Sequence, residues 1–330
     1  LWLDDRVHST SEYNSGFLKK HHVMLNKKPI FIVGFQHGGT NVILNLLRSH
    51  PEVCSPRGET QEVFKGKRLH NRFNEPMTVV ISKILRYLPI LAEQKQDIFS
   101  LNLWEERKAL TRRTERYIDR ILLSEKLKAK GDTQNRFRTE DVEYTHKQIL
   151  ESRLLCKNLN GLIYLTKNFN QMYPDATFIA LVRNGYALCE GHVRRGADLE
   201  TTAKHYEKGC QKIINDAKNM PNYHIFRFED FLKSPREVFD QIIECTGLDA
   251  EQIKKLRLEN KRIIDKNGKH TYMYEQNREG LIWYPVEKFM EHIKSEVNEH
   301  QIKNLTLDQK QLINSLASSS LEHFSYSASI

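Results

Sequence analysis

The sequence predicts an α/β domain built on a central parallel sheet, and three observations carry that expectation. Short apolar runs rich in β-branched residues stand at Pro29-Ile30-Phe31-Ile32-Val33-Gly34 and at Phe178-Ile179-Ala180-Leu181-Val182. Helical faces fall between such runs, and strands separated by helices pair in parallel through crossovers. With 15 Gly and 9 Pro among 330 residues, the chain lies below the roughly 12% of an average protein. That scarcity excludes collagen-like and low-complexity architectures and favours helix.

The elements follow in order. Residues 1–28 are polar and mixed and are expected to form a surface arm. The run 29–34 ends at a Gly and reads as a buried strand. After a Gly-rich turn, Val42, Ile43, Leu46 and Leu47 share one helical face, which should end near His50-Pro51. Residues 66–150 read as mostly helical, with a stripe at Ile118, Ile121 and Leu122 and a break at Gly131-Asp132. They are expected to be a substrate-facing insert. A strand is predicted at Leu154-Leu155-Cys156, a helix over 161–172, and the clearest strand at 178–182. Ala203, Tyr206, Cys210, Ile213, Ile214 and Ala217 line another helix. His224 to Phe228 reads as a strand. Pro235 opens a helix whose Val238, Phe239, Ile242 and Ile243 face inward, and Gly247 closes it. The main domain is taken as 29–285, followed by a polar helical tail over 286–330.

Composition narrows the function. Hydrophobic residues make 39% and charged residues 28% of the chain, a globular balance. The net charge of +9 favours an anionic ligand, but no block of five or six like charges suggests a nucleic-acid tail. No apolar run reaches 18 residues, so no membrane span is expected within this sequence. The chain opens on Leu, which leaves a removed anchor or signal segment open. The five cysteines, at 54, 156, 189, 210 and 245, form no C-x-x-C, and no metal site is expected.

Gly34-Phe35-Gln36-His37-Gly38-Gly39-Thr40-Asn41 lies between a predicted strand and a predicted helix. Such a loop aims backbone N–H groups at one point beside a helix N-terminus, which makes an anion site. A Walker loop needs Lys after its last Gly. Here Thr40 stands there, and no acidic residue follows the strand 178–182 to hold Mg²⁺. That strand runs instead into Arg183-Asn184-Gly185. Ligands of open parallel sheets sit beyond the carboxyl ends of the strands. Arg183 is placed there, with Arg195 expected about three helical turns on. Two guanidiniums suit a phosphate.

Together these pieces resemble the sulfotransferases that use 3′-phosphoadenosine 5′-phosphosulfate (PAPS). The Gly-Gly-Thr loop is similar to the family's 5′-phosphosulfate loop, and the strand running into Arg183-Asn184 to its 3′-phosphate motif. Phe226-Arg227-Phe228-Glu229-Asp230-Phe231 with Ser234-Pro235 resembles a third family element. Within the family the likeness is greatest to tyrosylprotein sulfotransferases and their bacterial relatives. It rests on His50-Pro51-Glu52-Val53, Gly58-Glu59-Thr60, Cys156-Lys157-Asn158, Tyr173-Pro174-Asp175-Ala176-Thr177-Phe178 and Val182-Arg183-Asn184-Gly185. The departures are His37 for the usual Arg or Lys, Gly38 for Ser, Asn41 for the second Thr, and Gly191 for a Ser eight residues after Arg183.

The resemblance implies a P-loop NTPase-like three-layer α/β domain with a central parallel sheet and helical insertions. It implies PAPS as cosubstrate, with no metal, and a hydroxyl acceptor: protein tyrosine, carbohydrate or small alcohol. The basic balance would suit an acidic peptide or glycan. Gly38, Gly39, Thr40, Asn41, Arg183 and Arg195 are the implied cofactor-binding residues. Lys157 is the implied sulfuryl contact, His37 a further donor to it, and Glu59 the base, with Glu62 as the alternative register. Cys54 and Cys156 are expected to be neighbours, as a disulfide in a secretory protein or a reduced pair in a cytoplasmic one. A bacterial-type cytoplasmic location is expected, with a Golgi lumen as the alternative. Two other readings stay open: a nucleotide kinase or NTPase, and an inactive PAPS-binding module.

Overall fold

The computed structural model describes residues 24–66, 76–128, 144–260, 262–264, 270–272, 280–289, 291, 293 and 297–327. Its centre follows from the apolar runs. β1 (Ile30–Gly34) is buried at all five positions, so both of its faces must be covered. Helices from both sides cover it, as two-sided burial of a parallel sheet requires. The chain then forms α1 (Thr40–Leu47), the two-residue β2 (Val53–Cys54), α2 (Thr60–Lys65), α3 (Met77–Gln94), α4 (Arg112–Lys128) and α5 (His146–Glu151). β3 (Arg153–Leu159) leads through a 3₁₀ turn, Asn160–Leu165, into α6 (Thr166–Met172). Next come β4 (Thr177–Val182), α7 (Gly185–Val193), α8 (Leu199–Asn219), β5 (Tyr223–Arg227), α9 (Phe228–Lys233) and α10 (Pro235–Thr246). The remainder comprises β6 (Lys255–Asn260), β7 (Arg262–Ile264), β8 (His270–Tyr272), β9 (Gly280–Pro285), α11 (Val286–Phe289), α12 (Val297–Lys303) and α13 (Leu307–His323).

The main sheet has the order β2-β3-β1-β4-β5 and every pairing is parallel. Phe31 lies opposite both Cys156 and Phe178, and Ile32 opposite Lys157 and Ile179. Because strand side chains alternate, the sheet divides two cores. Phe31, Val33, Phe178, Ala180 and Val182 pack into one with residues of α4, α6, α8 and α13. Ile30, Ile32, Ile179 and Leu181 pack into the other with residues of α1, α10 and β6. At Gly34, β1 and β4 approach so closely that an added Cβ would lie 2.7 Å from the Leu181 carbonyl oxygen, so this strand end needs glycine.

The predicted strands at 29–34 and 178–182 and the helices through 203–217 and from Pro235 to Gly247 are present. Pro235 is the first residue of α10, and Gly247 caps it in the left-handed region at φ 65°. Several expectations are corrected. The described part of 66–150 is mostly helical, in α3, α4 and α5, but not over 95–111, where buried Arg107 pins the chain by donating to the carbonyls of Ile98, Ser100, Leu103, Glu105 and Gly161. The predicted helix 161–172 is split into the 3₁₀ turn and α6. The sequence reading also missed the antiparallel pairs β6–β9 and β7–β8. The proposed break at Gly131-Asp132 and most of the N-terminal arm lie outside the described residues. Cys54 and Cys156 are both buried free thiols on neighbouring strands, not a disulfide, and burial pushes both thiols up.

Candidate active site

The site forms where β1, β3 and β4 end. β1 stops at Gly34, and the loop turns at His37 with φ 64° and at Gly39 with φ 87°. Asn160, just past β3, holds the loop from one side: its Oδ1 accepts from Gln36 N–H at 2.9 Å, and its Nδ2 donates to Gln36 Oε1 at 3.1 Å. His192, from α7, contacts the Gln36 carbonyl oxygen through Nε2 at 3.1 Å. Gly38 N–H donates back to Phe35 O at 3.1 Å. Among the described residues, the N–H groups of Gly39, Thr40 and Asn41 meet no acceptor. These are the first donors of α1, aimed outward from a helix N-terminus.

One flank of the loop carries an acid and an amine. Lys157, on β3, is buried, and its Nζ lies 2.9 Å from Glu59 Oε1 and donates to Asn41 Oδ1 at 2.5 Å. Glu59 is the N-cap of α2, with an extended backbone, and its Oε2 accepts from Gln61 Nε2 at 2.6 Å. Thr60 Oγ1 donates to Asn158 Oδ1 at 2.5 Å, tying α2 to the strand that carries Lys157. Glu62 has a different task. Its carboxylate folds back onto the Glu59 N–H at 3.2 Å and completes a capping box. Gly58 allows this, since a Cβ there would meet Glu62 Oε2 at 2.2 Å. So Glu59 meets Lys157 beside the loop, while Glu62 closes the helix end.

The other flank is cationic. Arg183 leaves the end of β4 and is buried. Its Nη1 donates to the His37 carbonyl oxygen at 2.7 Å, its Nε to Asn298 Oδ1 at 2.7 Å, and its Nη2 to Gln301 Oε1. Its guanidinium stacks over Phe228 at 5.1 Å. The same Phe228 ring would lie 2.4 Å from a Cβ at residue 39, so one aromatic wall joins the glycine loop to Arg183. Among the described residues no carboxylate lies within ion-pair distance of Arg183. Burial pulls its guanidinium down to about 10, still protonated at neutral pH. His37 is pushed down to about 4 by burial first, then by the fields of Arg195, His192, Arg183 and Arg194. All the charged or titratable neighbours acting on His37 are basic. Arg195 lies just beyond the nine-residue α7 rather than on a long helix, and donates to the Gly191 carbonyl oxygen.

The structure therefore brings Asn41, Glu59 and Lys157 into direct contact, and gathers His37, Arg183 and Arg195 on the other flank. The sequence reading missed Asn160, His192, Phe228, Asn298 and Gln301. Phe228 was visible only as part of a motif. Asn298 and Gln301 sit in a polar helix with no feature to single them out. Their amides are held by acids: Gln301 Nε2 donates to Glu190 Oε2 at 2.9 Å, and Asn298 Nδ2 to Glu229 Oε1. At Gly191 a Cβ would come within 3.1 Å of Gln301 Nε2, so the Gln301 amide fills the space beside that glycine. Tyr284, on β9, packs on the second core. Among the described residues no group of three His, Cys, Asp or Glu could hold a metal, and no helix is long and apolar enough to cross a membrane.

A family model described as "Sulfotransferase family" matches residues 29–252, about two thirds of the chain. Among solved structures, the "Sulfotransferase Domain from the Curacin Biosynthetic Pathway" superposes with a TM-score of 0.50 at 16% identity, covering 91% of this chain and 98% of its own. The "Sulfotransferase Domain from the Synechococcus PCC 7002 Olefin Synthase" gives 0.49 at 17% identity, covering 94% and 99%. The first of these has the same fold. No curated protein sequence matches this chain.

Proposed function

This chain belongs to the sulfotransferase family, and from that premise we propose that it moves the sulfuryl group of PAPS to a hydroxyl acceptor. The observation that carries this reading is the pairing of an acid and an amine, Glu59 and Lys157, on one flank of a loop whose other flank is cationic. A donor with a phosphate at each end suits that layout. The open N–H groups of Gly39, Thr40 and Asn41 fit its 5′ phosphosulfate. Arg183, with Arg195 and His37 beside it, fits the 3′-phosphate. PAPS supplies the sulfuryl group and an adenosine 3′,5′-bisphosphate leaving group. The residues supply position and charge.

Attack by a hydroxyl leaves two charges to manage: the acceptor's proton, and the negative charge developing on the leaving phosphate. Glu59 takes the proton through Oε1 or Oε2. Lys157 shifts from Glu59 toward the bridging oxygen, which frees the carboxylate as the base is needed. Stabilisation of charge by groups already in place is the largest lever in such transfers, extended here from phosphoryl enzymes. His37, expected as a donor to the sulfuryl group, stands instead on the flank of Arg183 and Arg195; neutral in the free protein, it donates from one ring nitrogen to the 3′-phosphate.

The motif likeness to tyrosylprotein sulfotransferases makes a phenol within an acidic peptide the first acceptor to assay, followed by glycans and small alcohols. Radiolabelled PAPS incubated with that panel tests the reading. Transfer of label to at least one hydroxyl compound is expected. Tight binding of PAPS with no transfer to any class would instead identify an inactive binding module.

A further inference from the structure

Ten large hydrophobic side chains are exposed among the described residues, and six of them, Met77, Val79, Ile81, Ile84, Leu85 and Leu88, sit on α3. At 100° per residue, all but Val79 fall within an arc of about 100°. Met77 is 66% exposed and Leu85 60%. The inward face of α3 is a different one, where Tyr87 and Ile90 are buried. So α3 has one apolar face packed on the domain and a second turned outward. Contiguous apolar surface of this kind marks an interaction site in a folded protein.

The flank of the outward stripe is cationic. Arg113, Arg116 and Arg120 on α4 line a cavity of about 850 Å³ between α4 and α3, together with Pro89, Ala92 and Tyr117. Ala92 continues the arc of Ile81, Leu85 and Leu88 into this cavity. The lining carboxylate, Glu93, is taken up by the hydroxyls of Thr111 and Thr114. Among the described residues none of the three arginines is in an ion pair.

We propose that this face docks on an anionic lipid surface, with the α3 stripe entering the acyl boundary and the α4 arginines meeting headgroup phosphates. An amphipathic helix lies in the interface plane when its apolar face is open and cations sit beside it. The basic balance of the whole chain, +9, adds attraction. A second copy of the chain fits less well. Antiparallel two-fold pairing of the stripes uses the same patch on both copies and sets one arginine row beside the other. The inference does not depend on sulfuryl transfer, and none of these residues belongs to the candidate active site.

Flotation of the whole chain with phosphatidylcholine vesicles, with and without one-third phosphatidylglycerol, tests it. The protein is expected to float with the anionic vesicles only, and less as salt rises. Leu85→Glu with Leu88→Glu should abolish flotation. Replacing Arg113, Arg116 and Arg120 by Gln should lower partitioning roughly fivefold per charge. The replaced side chains are exposed, so melting temperature and binding of adenosine 3′,5′-bisphosphate should stay unchanged and report a folded domain. Absence of flotation, or equal flotation of the Glu variant, overturns the proposal. So does a dimer in sedimentation that Leu85→Glu dissociates, because the stripe would then face a second copy.

Discussion

At His37 a single imidazole reports what lies beside it. Burial and four basic neighbours hold its pKa at about 4, against 6.5 for an ordinary imidazole. An anion seated among those cations offsets their fields, so the pKa should rise when adenosine 3′,5′-bisphosphate binds. A ring titration followed by NMR should show the midpoint near 4 in the free protein and move upward with ligand; a midpoint unmoved by saturating ligand would place the anion elsewhere. The sign for stability follows from linkage. Between about 4 and 6.5 the unfolded chain binds a proton at His37 that the folded chain refuses. Stability from this group is therefore full above 6.5 and is lost as pH falls toward 4, and His37→Gln should flatten that loss in acid melts. Glu59 carries a second prediction. A positioned base is typically worth 10²–10⁴-fold, so Glu59→Gln should lose turnover by about that factor while binding PAPS normally. The amide can still cap α2. Lys157→Ala should lose turnover through charge stabilisation instead, so a low-pKa phenol should rescue Glu59→Gln and not Lys157→Ala. Glu62→Gln, at the capping box, should fall far less. A Glu62→Gln loss as large as that of Glu59→Gln would shift the base assignment.

Among the elements, α12 bears on the proposed 3′-phosphate site, because it holds Arg183. Asn298 Oδ1 and Gln301 Oε1 are neutral acceptors, and both hold Arg183. A phosphate carries the negative charge that these amides lack and can pair bidentately with a guanidinium, so a 3′-phosphate should replace them. Arg183→Ala is then expected to weaken adenosine 3′,5′-bisphosphate by about 1.5–3 kcal/mol and adenosine 5′-phosphate much less. Asn298→Ala with Gln301→Ala should leave bisphosphate affinity unchanged or a few-fold tighter by calorimetry. A tenfold loss in that variant would make the amides phosphate ligands themselves. None of this was legible from the sequence, because α12 carries its information in amides on a polar helix. Arg183 was legible because it ends an uninterrupted apolar run. β6 and β9 were missed for another reason. Lys255-Leu256-Arg257-Leu258 alternates over too few residues to announce a strand, and its partner begins only at Gly280.

For the molecule as a whole, the sheet was readable because β1 and β4 are buried on both faces and carry unbroken apolar runs at 30–33 and 178–182. The loop between β1 and α1 was readable because φ 87° at Gly39 and the Phe228 ring against it demand glycine. The meeting of Glu59 with Lys157 was not, since it depends on β3 lying beside β1 and on α2 being tied to β3 through Thr60. That sheet order also predicts what the folded molecule recognises. The loop lacks the lysine of an ATP-binding loop, and the charge it offers is split between a flank beside β3 and a flank beside β4. A ligand with phosphates at both ends of an adenosine should engage both flanks, whereas ATP puts all its charge at one. Any ligand that binds only the folded state at a hundred times its Kd adds about 2.7 kcal/mol, which for a domain of this size raises Tm by roughly 3–8 °C. Adenosine 3′,5′-bisphosphate is expected to give that shift, and ATP with Mg²⁺ at equal concentration much less than half of it. Arg183→Ala should reduce the bisphosphate shift while leaving the starting Tm within a few degrees. If ATP stabilises the chain as well as the bisphosphate does, the loop binds a triphosphate, and the assignment of Arg183 to a 3′-phosphate falls with it.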